Sequence, residues 1–140
     1  GLKIDLTQMV EASKGAGLVF FCNPNNPTAT VHGKAAVADT VKAIRADAKL
    51  AVVTRSEKGC AIVSRDGVEL VQAMPIEQVA DATGAGDLFA AGFLVGHSHG
   101  KDHRTAARLG ALAAAEVIQH IGARPQVSLK ELAAQNGLVV

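Results

Sequence analysis

The chain has 140 residues, nearly half of them apolar, and a formal net charge of +1. That length is about one domain's worth, and near-neutral charge without a basic run excludes a nucleic-acid or membrane partner held by bulk charge. Four Phe, no Trp and no Tyr leave a core to be built from Ala, Val, Leu and Ile, as in parallel α/β proteins. Gly1 is no initiator and residues 2–14 read like the interior of a domain, so a fragment or fusion product is expected. Residues 17–22 form a short apolar run that predicts a buried strand. The following 23–28, with two Pro and three Asn, must be loop. Over 33–48 the positions Ala36, Val37, Thr40, Val41 and Ile44 repeat at helical spacing, leaving Lys42, Arg45 and Asp47 for solvent.

Residues 50–54 predict a second buried strand, and 55–59 a turn. The runs 60–64 and 68–73 flank Arg65-Asp66-Gly67, the pattern of a hairpin with an Asp-Gly turn. Residues 77–81 read as another extended piece, and 83–86 as a glycine-bearing loop. An apolar helix should then run to about Gly96 and an Ala-rich one over 102–121, stopped by Pro125; Ser128 should cap a last helix to Gln135. Cys22 and Cys60 lie in apolar runs without zinc-type spacing and are expected to be reduced, buried thiols. With neither a signal peptide nor an apolar run of ~20 residues, a soluble cytoplasmic protein is the expectation. His97, His99 and His103 lack acidic or cysteine partners at a telling spacing and read as an exposed helix connection; Lys101, Arg104 and Arg108 read as a solvated helix face.

The stretch Asp81-Ala82-Thr83-Gly84-Ala85-Gly86-Asp87 carries the chemistry. Glycines on either side of Ala85 let backbone approach a ligand closely. The loop leads into a helix N-terminus, where unpaired amides and the helix dipole favour an anion. Asp87, in the first turn, is favoured as a carboxylate by the same dipole and could take a proton from an attacking hydroxyl. Taken alone, an Asp at a helix start is a cap and the glycines before it are a turn. No Gly-Lys-Ser/Thr follows, so this is no Walker-type loop.

The wider stretch resembles the signature of ribokinase-like (PfkB-type) carbohydrate and nucleoside kinases, whose Asp-Thr-x-Gly-Ala-Gly-Asp runs into an apolar helix. Two flanks extend the likeness to about 46–140: Val53-Thr54-Arg55-Ser56-Glu57-Lys58-Gly59, similar to the segment lying along the nucleotide phosphates, and Ala113-Ala114-Ala115 through Ile121-Gly122-Ala123-Arg124-Pro125. The resemblance implies an α/β fold with a mostly parallel sheet flanked by helices, three-layered and here incomplete. It implies ATP-dependent phosphorylation of a sugar or nucleoside hydroxyl, with Mg2+ and a monovalent cation such as K+. Asp87 would be the catalytic base, and Gly84, Ala85 and Gly86 the anion hole. Thr54 and Gly59, with Gly86 and Asp87, would hold the nucleotide. Asp81, Thr83 and Gly122 would belong to the monovalent-cation loop. Ala82, where the family most often has Thr, and Gly110, where many members place a side chain against the base, are departures. Residues 54–59 and 115–118 look most like the adenosine-kinase type, although acceptor-binding residues come mainly from the N-terminal half of such enzymes.

Residues 1–42 differ. Leu18 to Gly33 resembles class I/II pyridoxal-phosphate aminotransferases of the histidinol-phosphate type, in which the asparagine matching Asn26 bonds the cofactor ring. The Schiff-base lysine of that family follows the loop, whereas Lys14 precedes it and reads as a surface residue, so pyridoxal phosphate is not expected. The division expected is an aminotransferase-like strand–loop–helix fragment over 1–42 and the C-terminal part of a kinase domain over 43–140, with the changeover inside one helix. The alternatives to a working kinase are a non-catalytic remnant that at most binds nucleotide and, less favoured, an aminotransferase. A sheet missing neighbours would leave edges open, which leaves room for homo-oligomers. The expected partners are a nucleotide and a small-molecule alcohol.

Overall fold

A computed structural model of the chain describes residues 4–22 and 32–139, the side chains of Cys22 and Asp47 apart. The chain divides into two compact units, Gly1–Leu70 and Val71–Val140. The fold is α/β, with four strands and five α-helices among the described residues.

In the first unit, α1 (Leu6–Ala12) is capped by Asp5, whose Oδ1 accepts the amides of Thr7 at 2.9 Å and Gln8 at 3.1 Å. The strands are β1 (Val19–Cys22), β2 (Leu50–Thr54), β3 (Cys60–Ser64) and β4 (Gly67–Val71), in the order β1-β2-β3-β4. β1 runs parallel to β2 and β3 antiparallel to it, so the sheet is mixed. The parallel step is bridged by α2 (Lys34–Asp47), as a crossover between parallel strands requires. Leu50, Ala51, Val52 and Val53 are all buried, which explains why β2 reads as a continuous apolar run and not an alternating one. Ile44 and Ala48 pack with Ala51 and Val63, and Met9, Val10, Val19 and Val41 close that core. The two residues Arg65 and Asp66 turn β3 into β4, and Gly67 follows at φ +145°, outside the range ordinary side chains adopt.

The second unit holds α3 (Ala85–Ser98), α4 (His103–Val117) and α5 (Leu129–Gln135). Asp102 caps α4 through the amide and the hydroxyl of Thr105, at 2.9 and 2.6 Å. Ser128 caps α5 as its position predicts. α3 and α4 meet backbone to backbone. A Cβ on Gly92 would stand 2.7 Å from the Leu109 carbonyl oxygen, one on Gly96 2.8 Å from Ala106 Cα, and one on Gly110 2.5 Å from the Phe89 carbonyl oxygen. Gly110, read in the sequence as a departure facing a base, is thus a contact of α4 with α3. Leu109, Leu112, Ala133 and Leu138 form the core beside it, with Met74 and Leu132.

Three local expectations change. The helix α1 was not anticipated from sequence. Residues 77–81 join no ladder, because the amides of Ala80 and Asp81 go instead to the Ile118 carbonyl, at 2.8 and 3.3 Å. α4 ends at Val117 and not near Ile121, and the Ile118 carbonyl takes these amides in place of a next-turn helix amide. Among the described residues no helix is long and apolar enough to cross a membrane.

Candidate functional site

The loop ahead of α3 is shaped by one glycine. Gly84 is the residue before the helix and has φ +80°, a left-handed conformation that costs an ordinary side chain ~1–2 kcal/mol. Its space is also taken: a Cβ there would lie 2.8 Å from Ala123 Cβ and 3.2 Å from Ala123 Cα. Gly84 contributes no side-chain cap. The Ala85 amide is bonded to the Ala82 carbonyl at 3.3 Å and the Leu88 amide to the Gly84 carbonyl at 2.9 Å. The amides between them, of Gly86 and Asp87, have no backbone partner among the described residues. They are the donors that a helix start leaves for an anion. Asp87 lies in this first turn, with its side chain exposed.

Asp81 ties the loop to a second one. Its Oδ1 accepts the Thr83 amide at 2.9 Å and its Oδ2 the Gly122 amide at 3.1 Å. The Thr83 hydroxyl, then the amides of Thr83 and Gly122, hold the Asp81 carboxyl below its ordinary range. Gly122 has φ +101°, so the second loop too relies on glycine. The structure therefore brings Asp81, Thr83, Gly84, Ala85, Gly86, Asp87 and Gly122 into two neighbouring loops of the second unit.

Thr54 and Gly59 belong to the first unit. Thr54 ends β2, and Gly59 closes the 3-10 turn Ser56–Lys58 at φ +76°, its amide bonded to the Ser56 carbonyl at 2.9 Å. Its own carbonyl accepts the Arg55 amide at 2.7 Å. Ser56 has φ +54°, a left-handed conformation in a residue that carries a side chain.

Residues given no site role in the sequence support the second loop. Glu116, in the last turn of α4, is buried at 9% exposure, and its Oε1 accepts the Gln126 amide at 2.9 Å and His120 Nε2 at 3.1 Å. The readable signal was the spacing of Glu116 and His120, which puts both on one helix face. Elsewhere, Phe93 stacks on His97, whose ring centroid lies 6.0 Å from that of His103. Among the described residues no three His, Cys, Asp or Glu side chains are grouped to hold a metal. Cys60 is a free, buried thiol, pushed up to about 11 by burial. Lys14 is exposed and paired with Glu11 at 2.6 Å, and Asn26 lies outside the described residues.

Comparison with known proteins shows what the chain is similar to. The chain is 44% identical over 77 residues to the cytidine kinase of Thermococcus kodakarensis, a match covering 54% of the chain and 27% of the relative. A probable sugar kinase from Rhizobium etli superposes with a TM-score of 0.82 at 36% identity, covering 96% of this chain and 41% of that one. An adenosine kinase from Sinorhizobium meliloti gives a TM-score of 0.79 at 37% identity, covering 94% and 40%. The chain thus spans about two-fifths of the length of these solved kinases. A separate, partial likeness reaches 54% identity over 33 residues with the histidinol-phosphate aminotransferase of Shewanella oneidensis, covering 24% of the chain and 8% of the relative. The model of the pfkB family carbohydrate kinases matches residues 6–130, and the chain belongs to that family.

Proposed function

We propose that this chain is the nucleotide-side part of an ATP-dependent kinase acting on a hydroxyl of a sugar or nucleoside, of the adenosine-kinase type. The observation that carries the reading is the start of α3, where left-handed Gly84 leaves the Gly86 and Asp87 amides open to an anion beside an exposed carboxyl. Phosphoryl transfer asks a protein mainly for positioning and charge stabilisation. Asp87 accepts the acceptor's hydroxyl proton as its oxygen attacks the γ-phosphorus and ADP departs. The Gly84–Gly86 loop forms the wall for charge on the transferring group through the open Gly86 amide, the Ala85 amide being bonded to the Ala82 carbonyl. Thr54 and Gly59 serve the nucleotide. The nucleoside preference is supported by the names of the adenosine and cytidine kinases to which the chain is similar.

The cofactors are tested by what the residues offer. The open amides at the head of α3 fit a phosphate anion. When bound, Mg2+ would neutralise charge on the nucleotide's phosphate oxygens. Asp81 is held ionised, and with the Thr83 hydroxyl it forms an all-oxygen donor set of the kind hard cations take. Gly122 serves that loop through its N–H, as an anchor of Asp81.

The two-part origin is the further element of this reading, with 1–42 aminotransferase-like and 43–140 kinase. Its support is the short aminotransferase likeness and the unbroken run of α2 over Lys34–Asp47, across the changeover. The kinase family match begins at residue 6 and so also spans most of that first part. Hydrogen exchange that found 33–48 unprotected would sink the idea of a splice within an intact helix.

The test is calorimetric titration of the chain with ATP and Mg2+, followed by a turnover screen of nucleosides and sugars. Asp87→Asn is expected to keep binding and lose ~10²–10⁴-fold in any turnover. Gly86→Val is expected to lose binding. Binding without turnover in the parent chain would favour a non-catalytic nucleotide-binding unit, and retained turnover in Asp87→Asn would end the assignment of the base.

A further inference from the structure

We infer that Glu116 is a positioning residue for the loop ahead of α3, acting through the arch 118–126; the consequence for ATP rests on the function proposed above. The arch is pinned at three places. At its start, the Ile118 carbonyl accepts the amides of Ala80 and Asp81. At its crown, the Gly122 amide donates to Asp81 Oδ2 at 3.1 Å, and Ala123 occupies the space a side chain on Gly84 would need. At its end, the Gln126 amide donates to Glu116 Oε1 at 2.9 Å. That last bond ties Gln126 to α4, and it comes from a side chain 9% exposed. His120, also inside the arch, has Nε2 3.1 Å from the same oxygen, which accepts from it.

A second observation separates this from ordinary packing. Glu116 Oε2 and His120 Nδ1 are both buried without a hydrogen-bond partner. Replacing a buried ion pair as a whole by apolar residues of similar volume is often neutral or stabilising. A position serving only the core would be filled by such a residue. What the carboxyl supplies and an apolar side chain cannot is an acceptor for the Gln126 amide, and so the closing point of the arch over Gly84.

The test compares Glu116→Leu, which keeps volume and removes the acceptor, with Glu116→Gln, which keeps an oxygen where Oε1 stands. Melting, amide proton–nitrogen correlation spectra and ATP·Mg2+ affinity are measured on the full chain. Glu116→Leu is expected to melt lower than the parent, since the Gln126 amide and His120 lose their acceptor, and beyond that to displace the resonances of Gly122, Gly84 and Gly86 and weaken ATP·Mg2+ binding about tenfold. Glu116→Gln is expected to restore the spectra and the affinity. Unmoved loop resonances in Glu116→Leu, or Gln and Leu variants that behave alike, would overturn the inference. Should Glu116→Leu fail to fold, Gln126→Pro removes the donor instead, and the same displacement is expected; unmoved resonances there overturn the inference equally. If the parent chain binds no ATP, the kinase reading fails while the spectra still decide the role of Glu116.

Discussion

Asp81 and Gly122 are joined by a hydrogen bond of 3.1 Å from the Gly122 amide to Oδ2, across 41 residues of sequence. The bond favours the ionised carboxyl, which the Thr83 hydroxyl and amide hold down further. A carboxyl whose folded pKa is depressed contributes stability that is complete above its unfolded value, ~3.9, and is lost as pH falls through the folded value. Asp81→Asn is therefore expected to lower Tm near neutral pH. The gap from the parent should narrow once pH drops below about 4. Melting curves across pH check this; a gap independent of pH would mean that the charge of Asp81 is immaterial.

Gly110 stands where a Cβ would come within 2.5 Å of the Phe89 carbonyl oxygen. Alanine there raises helix propensity by ~1 kcal/mol, but overpacking against backbone costs ~1–3 kcal/mol. Backbone cannot swing aside as a flexible side-chain end can, so the clash should win. Gly110→Ala is expected to lose about 1–2 kcal/mol in urea unfolding. A gain in stability would show that α3 and α4 part freely.

Ser56 holds φ +54° in the turn after β2. A left-handed residue with a Cβ costs ~1–2 kcal/mol, while glycine returns about 0.4–1 kcal/mol of that through the unfolded chain. Ser56→Gly is thus expected to stabilise by about 0.5–1 kcal/mol. A destabilised variant would show that the Ser56 hydroxyl outweighs its backbone strain.

Cys60 is buried on β3, and burial pushes its thiol up to about 11 from the ordinary 9.0. The thiolate is the reactive form, so a shift of that size lowers its fraction about a hundredfold. Peptide mapping after alkylation at mildly alkaline pH should find Cys60 unmodified in the native chain and modified in urea. Ready modification of the native protein would contradict the burial.

Much of this architecture is readable from residue pattern, and the misses share a cause. β2 was legible to the residue because 50–54 is apolar throughout and bounded by a turn. Gly84 and Asp87 were legible because a glycine-flanked loop entering an apolar run is a local feature. What sequence could not show are the relationships set by distant chain. Beyond the end of α4 the Ile118 carbonyl takes the amides of Ala80 and Asp81, and those same bonds keep 77–81 out of a ladder. Gly110 looked like a missing contact with a ligand, because nothing in its neighbourhood announces Phe89. Nothing local to Glu116 announces that Gln126 returns to it.

The crossing of α3 over α4 is specified by what is missing at Gly92, Gly96 and Gly110. Since backbone meets backbone there, the fit depends little on the identity of the outward-facing residues, which are free to drift. Substitutions on the outer faces of these helices could accumulate over evolutionary time and leave the geometry at the head of α3 untouched. A single methyl at one of three bare positions would disturb it more than many changes elsewhere. Relatives of this chain can therefore grow unlike it in most of both helices and still present Gly84 and Asp87 on the same support.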